Sequence, residues 1–155
     1  MGANTSKIIS QQDINSLSQI TNFSETELQV LYNRFQHLDA FRHGSITFDK
    51  LASIPELAVN PLSFRLQTAF QAMVNGSTTL NFEQFARILD VFHPKCKRVD
   101  KLNLIFCIYD VDGDGFISFS DLFIIVKDLV GQNLEDFQIR MIVHETMNSL
   151  NLGHD

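Results

Sequence analysis

One segment constrains this chain more than any other: Asp110-Val-Asp112-Gly-Asp114-Gly115-Phe116-Ile117-Ser118-Phe119-Ser120-Asp121. Carboxylates at its first, third and fifth positions converge only if the backbone wraps tightly around a common centre. Gly115, at the sixth position, supplies the sharp turn that such wrapping needs. Phe116, at the seventh, offers a backbone carbonyl, so its side chain is free to vary, and Ser118 at the ninth can act through water. The twelfth position of such a loop ordinarily carries Glu, which reaches back with both oxygens; Asp121 is one methylene shorter. The segment therefore reads as one site for a hard cation, Ca2+, formed by Asp110, Asp112, Asp114, Phe116, Ser118 and Asp121. The short twelfth side chain predicts a single-oxygen contact, weaker Ca2+ binding and poorer discrimination against Mg2+. An acidic surface turn can show the same Asp-rich run. Here, however, apolar helical stripes flank the loop on both sides, and Ile117 at the eighth position suits a short β-bridge to a paired loop.

The same unit, helix, short loop with an Ile or Leu, helix, recurs along the chain with a period of about 35–40 residues, the sign of an array of one supersecondary element. Ile14, Leu17 and Ile20 share a face of a short first helix. Ser24 and Glu27 fit a capping box opening a second helix whose stripe is Leu28, Leu31, Phe35 and Leu38. Asn60-Pro61 reads as a further helix start, Phe82, Phe85, Leu89 and Phe92 form another stripe, and His93 to Arg98 is a basic break between lobes. Helices then flank the acidic loop, one through Leu102, Ile105, Phe106 and Tyr109, the next from Leu122 to a stop at Gly131, and a last from about Leu134 to about Leu150. The organisation predicted is an N-terminal segment over 1–23, a lobe over 24–93 and a second lobe over 98–155.

Two of the other loops have lost their ligands. In the first, Asp39, Gly44 and Ile46 keep their places, but Phe41, His43 and Lys50 stand at the third, fifth and twelfth positions. An ammonium in place of a carboxylate opposes Ca2+, and His37 and His43 have no further nitrogen or sulfur ligand at a convincing spacing. The second loop, about Gln71 to Gln84, carries an insertion and no carboxylate at its early positions. A fourth loop would begin near Asn151, and the chain ends at Asp155 before it can close, which leaves Ile117 without its usual partner loop.

Composition narrows the function. The formal net charge of −6 argues against nucleic acid, whose phosphates call for a basic face, and favours cations or basic peptides. Fourteen Phe and no Trp give rings with no polar handle, to be buried in a core or against a partner. Cys96 and Cys107 read as reduced structural thiols rather than a disulfide framework. No apolar run approaches the roughly 20 residues that span a bilayer, and no secretory signal is seen, so the expected location is cytoplasmic. Met1-Gly2-Ala3-Asn4-Thr5-Ser6-Lys7 matches the pattern for myristoylation of Gly2. A single acyl chain gives only reversible membrane contact, so peripheral association is expected. His93 with Cys96, and His144 with Glu145, are proximities without a third group to orient them, and no catalytic set is recognisable.

The residues Asn22-Phe23-Ser24, Leu31-Tyr32-Asn33-Arg34-Phe35, Ile54-Pro55-Glu56-Leu57-Ala58-Val59-Asn60-Pro61-Leu62, Ile108-Tyr109-Asp110 and Val130-Gly131, with Gly2 and Ser6, resemble the calcineurin B subfamily of EF-hand proteins. Within it the resemblance is especially to the calcineurin homologous proteins, and it covers nearly the whole chain to about Leu150. The resemblance implies an all-α array of EF hands, here with its last hand truncated, N-myristoylation, and a hydrophobic groove that takes an amphipathic helix of a target. For calcineurin B that target is a phosphatase catalytic subunit; for the homologous proteins it includes sodium/proton exchangers. Phe123, Ile124, Val126 and Val130 are candidates for the groove, because that helix is apolar on several faces. The expected role is regulatory, with a low-capacity Ca2+/Mg2+ buffer or a non-switching scaffold as the alternative.

Overall fold

A computed structural model describes residues 9–151. Its helices are α1 (Gln11–Ile20), α2 (Glu25–Leu38), α3 (Phe48–Ala52), α4 (Pro55–Ala58), α5 (Ser63–Met73), α6 (Phe82–Asp90), α7 (Arg98–Tyr109), α8 (Phe119–Val130) and α9 (Asp136–Asn151). Two strands, β1 (Ser45–Thr47) and β2 (Thr79–Asn81), pair antiparallel with Ile46 opposite Leu80. The all-α EF-hand architecture expected from the periodicity is the one found.

Local chemistry sets most helix starts. Ser24 accepts from the Glu27 amide while the Glu27 carboxylate takes the Ser24 N–H, so two otherwise orphaned donors are satisfied. The Ser24 hydroxyl and amide hold the Glu27 carboxyl below its usual range. Ser10 with Asp13, Asn81 with Gln84 and Ser118 with Asp121 repeat the device at α1, α6 and α8. The Asn60-Pro61 expectation needs correction: α5 begins at Ser63, because the Asn60 side chain accepts from the Leu62 amide at 2.8 Å and holds a turn instead of capping a helix. Pro55 opens the short α4 at its first position.

The main core gathers Phe35, Phe48, Phe70 and Phe85 with Ile46 and Leu80, and continues into Leu104, Ile108 and Ile125. It thus runs on both sides of the residue 93–98 break. A smaller cluster of Ile14, Leu17, Leu28 and Ala86 fastens α1 to α2 and α6. Ile20, expected on the same face as Ile14 and Leu17, is half exposed. Asp90 receives both the amide and the side-chain NH2 of Asn22, which ties the α1–α2 connection to the end of α6. A second tie crosses the molecule: the Arg65 guanidinium of α5 lies 3.6 Å from the Asp128 carboxylate of α8. No helix among the described residues is long and apolar enough to cross a membrane.

Candidate metal centre

The loop between α7 and α8 is folded by its own carboxylates. Asp110 follows the last turn of α7, where its amide still bonds to Phe106. One Asp110 oxygen accepts from the Gly113 amide at 2.9 Å and the Asp114 amide at 3.1 Å, and the other from the Gly115 amide at 3.0 Å. Asp112 accepts from the Asp114 amide, and Asp114 from the Phe116 amide at 2.8 Å. Gly115 sits at φ +87° with open space where a Cβ would be, so what excludes other residues there is backbone conformation, not crowding. Wrapped in this way, Asp110, Asp112 and Asp114 each bring a carboxylate oxygen within 4.8 Å of the others. It is the only such group of metal-ligating side chains among the described residues.

The other expected ligands are placed differently. The Phe116 side chain is 72% exposed, as a residue contributing only its carbonyl can be. Ser118 is the N-cap of α8, and its hydroxyl donates to Asp121. Asp121 is buried and lies outside the three-carboxylate group. One of its oxygens accepts from the Val111 amide at 3.1 Å, the other from the Ser118 amide at 2.7 Å and the Ser118 hydroxyl. The Ser118 hydroxyl is the main reason its carboxyl is held below the usual carboxylate range; burial pushes the other way, and the Ser118, Val111 and Asp112 amides add to the lowering. The short twelfth side chain thus clasps the two ends of the loop. The capping role was readable from Ser118-x-x-Asp121; the bond to Val111, ten residues away, was not. Three hard carboxylates and an available carbonyl in a turn of this size suit a divalent cation with oxygen preference.

In the first loop the turn held by the leading aspartate survives without the other ligands. Asp39 is buried, and its oxygens accept from the His43 amide at 2.9 Å and the Gly44 amide at 2.7 Å. Phe41 is 81% exposed and stacks on His43, and Lys50 points to solvent. The second loop closes without carboxylates: the Gly76 amide donates to the Gln71 carbonyl at 2.8 Å, and the Ser77 hydroxyl donates to the Thr79 carbonyl at 2.7 Å.

Of the groove candidates, Phe123, Ile124, Val126 and Val130 are half-buried. Phe123 is flanked by two cations, Lys127 Nζ at 5.6 Å and the Arg140 guanidinium at 4.8 Å from the ring centroid. The more exposed apolar side chains lie next to them in sequence or on neighbouring helices: Val99, Leu102, Ile105 and Phe106 on α7, Leu129 on α8, and Phe137, Met141 and Ile142 on α9. The signal was available in α7, where only Leu104 and Ile108 are buried although the helix is apolar around more than one face.

The remaining reactive side chains do not assemble. His93 accepts from the Lys95 amide and faces Glu27 at 3.7 Å, while His144 and Glu145 meet at 3.9 Å on the exposed surface. Both cysteines are free; Cys96 is buried, and its thiol is pushed up by that burial. Cys107, read as a structural thiol, is in fact exposed on α7. Gly2 lies outside the described residues.

A helix, a self-wrapped acidic loop and a capped second helix, preceded by two further helix–loop–helix units whose loops are joined by the β1–β2 bridge, define an EF-hand protein. No family model matches the chain, but curated relatives do. It is 41% identical over 147 residues to the calcineurin B subunit of Naegleria gruberi, a match that covers 95% of this chain and 81% of the relative. The type 2 calcineurin B subunit of Dictyostelium discoideum is 37% identical over 142 residues, 92% of this chain and 76% of the relative. The calcineurin B subunit of Candida glabrata is 38% identical over 155 residues, 100% of this chain and 85% of the relative. The chain belongs to the calcineurin B family of EF-hand proteins, whose members are regulatory subunits and not enzymes.

Proposed function

We propose that this protein is a Ca2+-binding regulatory subunit that seats an amphipathic helix of a phosphatase catalytic subunit on the exposed apolar residues of α7, α8 and α9. The observation that carries the reading is that exposure. Leu102, Ile105 and Phe106 on α7 and Phe137, Met141 and Ile142 on α9 remain open on helices already packed through Leu104, Ile108, Ile139 and Val143. Open apolar surface of this kind marks an interaction site, and an apolar helix face is a partner suited to it. The relatives' shared description as calcineurin subunits favours the phosphatase over an ion exchanger.

In this reading Asp110, Asp112 and Asp114 hold a single Ca2+, with the Phe116 carbonyl and a water on Ser118 completing the oxygen set. The cation supplies fixed positive charge that relieves repulsion among the three carboxylates and stabilises the folded loop. Mg2+ competes at this site, because Asp121 is committed to the loop ends. Gly2 carries a myristoyl group that gives reversible membrane contact, and the protein works in the cytoplasm; the residues supporting this are Gly2 and Ser6.

The test is affinity purification of the native protein with and without chelator, beside the double variant Phe106→Asp, Phe137→Asp. A phosphatase catalytic subunit should be recovered stoichiometrically by the parent and lost from the variant, whose helicity is unchanged. Recovery of an exchanger instead would reassign the partner. The absence of any stoichiometric partner would leave a cation buffer. Mass spectrometry of the N-terminus from eukaryotic cells checks the lipid.

A further inference from the structure

The basic break between α6 and α7 is a fixed turn. The His93 amide donates to the Asp90 carbonyl, the Cys96 amide to the His93 carbonyl and the Asp100 amide to the Lys97 carbonyl, so the chain passes directly from one helix into the next. The His93 ring is pinned as well: its Nδ1 accepts from the Lys95 amide at 3.1 Å, and the Phe23 ring meets it edge-on at 5.1 Å. What this turn displays is positive charge. Lys95, Lys97, Arg98 and Lys101 are four of the twelve Lys and Arg of a chain whose formal net charge is −6, and Asp100 is the only acidic residue among them. The first three are exposed and Lys101 is half-buried. None of the four forms an ion pair among the described residues. Apolar side chains stand open beside them: Phe92, 51% exposed and set edge-on against Phe70 at 6.1 Å, and Val99, 56% exposed. Four like charges in so short a stretch repel one another, a cost that an anionic partner removes.

We propose that this turn docks on an anionic membrane surface. Lys95, Lys97, Arg98 and Lys101 meet the lipid headgroups, while Phe92 and Val99 enter the boundary beneath them. Clustered cations with apolar neighbours are what such a surface attracts. The membrane is favoured over an acidic protein because the chain carries a second membrane signal, the acyl pattern at Gly2. One acyl chain holds a membrane only marginally, and a polybasic patch is what makes the attachment stable. Lys7 alone is not such a patch; the fold brings one from far along the chain. Asp90 holds the amide and the side chain of Asn22, and His93 packs on Phe23, so the turn is fastened to the C-terminal end of α1. The ten residues of α1 measure about 15 Å. The eight residues ahead of Ile9 reach at most about 28 Å, so an acyl chain on Gly2 and the turn can enter one surface together. The proposal rests on the Gly2 reading above for its choice of occupant.

Vesicle flotation of the full chain tests it, with and without myristate on Gly2. Neutral vesicles are phosphatidylcholine; in anionic ones phosphatidylserine replaces about a third of it. Each basic residue near an anionic surface multiplies partitioning about fivefold, so four cations less Asp100 should give about a 100-fold gain on the anionic vesicles, lost in high salt. The quadruple variant Lys95→Gln, Lys97→Gln, Arg98→Gln, Lys101→Gln should lose that gain yet float on phosphatidylcholine as the parent does, with helicity and unfolding midpoint unchanged. Because the chain has no Trp, Phe92→Trp places a single indole at the site, and its emission should shift to the blue on anionic vesicles. Three results would overturn the proposal: no phosphatidylserine gain with or without myristate, a quadruple variant that keeps the gain, or an indole whose emission is unchanged on bound vesicles. Binding of soluble polyglutamate with no gain on phosphatidylserine would also overturn it and reassign the turn to an acidic protein. Flotation that is the same with and without myristate would instead defeat the Gly2 reading, and the phosphatidylserine gain of the unacylated chain distinguishes that case.

Discussion

The loops at residues 39–50 and 110–121 begin with the same device and end differently. Asp39 and Asp110 each turn a carboxylate inward to receive amides four and five residues ahead, His43 and Gly44 in one loop, Asp114 and Gly115 in the other. Beyond that first residue they diverge. The later loop adds Asp112 and Asp114 and closes on Asp121; the earlier one adds Phe41 and His43 and reaches Lys50. The comparison separates two jobs that the leading aspartate performs together in a metal loop, nucleating the turn and binding the ion. In the first loop the turn persists with the ion's other ligands gone, supported by β1 and a core that includes Ile46 and Phe48.

The largest test of that separation removes the leading residue from each loop. Asp110→Ala should abolish calorimetrically detectable Ca2+ binding, whereas Asp39→Ala should leave it intact. Asp39→Ala should instead lower unfolding stability by about 1–3 kcal/mol, because its two amide donors lose their acceptor in a partly buried setting; denaturant titration reads this. Next, Asp121→Glu should raise Ca2+ affinity about tenfold, near 1.4 kcal/mol, since Glu at the third helical position keeps the capping box with Ser118 and gains reach. No gain by calorimetry would mean that the clasp on Val111, and not side-chain length, limits the site.

A subtler contrast is in pH. The Asp121 carboxyl is depressed, chiefly by the Ser118 hydroxyl. A carboxyl with a lower pKa when folded than when unfolded contributes stability that is complete above the unfolded value, about 4. That contribution is lost as the pH falls toward the folded value. Urea unfolding in EDTA across acidic pH should show this loss in the parent and a shallower slope in Asp121→Asn. The smallest difference is expected between glycines. Gly44→Ala and Gly115→Ala should each cost about 1–2 kcal/mol, since φ is positive at both, +77° and +87°. Equal costs in EDTA with a divergence in Ca2+ would show that the two turns differ only in the ion.

What the sequence made legible follows from how local each interaction is. Asp110, Asp112, Asp114 and Gly115 fold against one another within six residues, and Ser24 with Glu27 within four, so their roles follow from spacing. Asn60-Pro61 misled because an Asn side chain can hold a turn or cap a helix, and here it bonds to the Leu62 amide two residues ahead. The clasp of Asp121 on Val111 depends on the loop ends meeting in space. The openness of α7 and α9 depends on which of their several apolar faces the core leaves uncovered, a tertiary outcome that periodicity alone leaves open.

The pair between Arg65 and Asp128 gives α8 a mechanical character. Its first turn is bolted to the acidic loop through Ser118 and Asp121, and its third turn is tethered to α5 at Asp128. A helix of this length is a stiff strut of about 18 Å. A shift at the loop end is therefore carried along the helix to the Arg65–Asp128 contact, a partly exposed ion pair worth at most about 1 kcal/mol that can follow the motion or part.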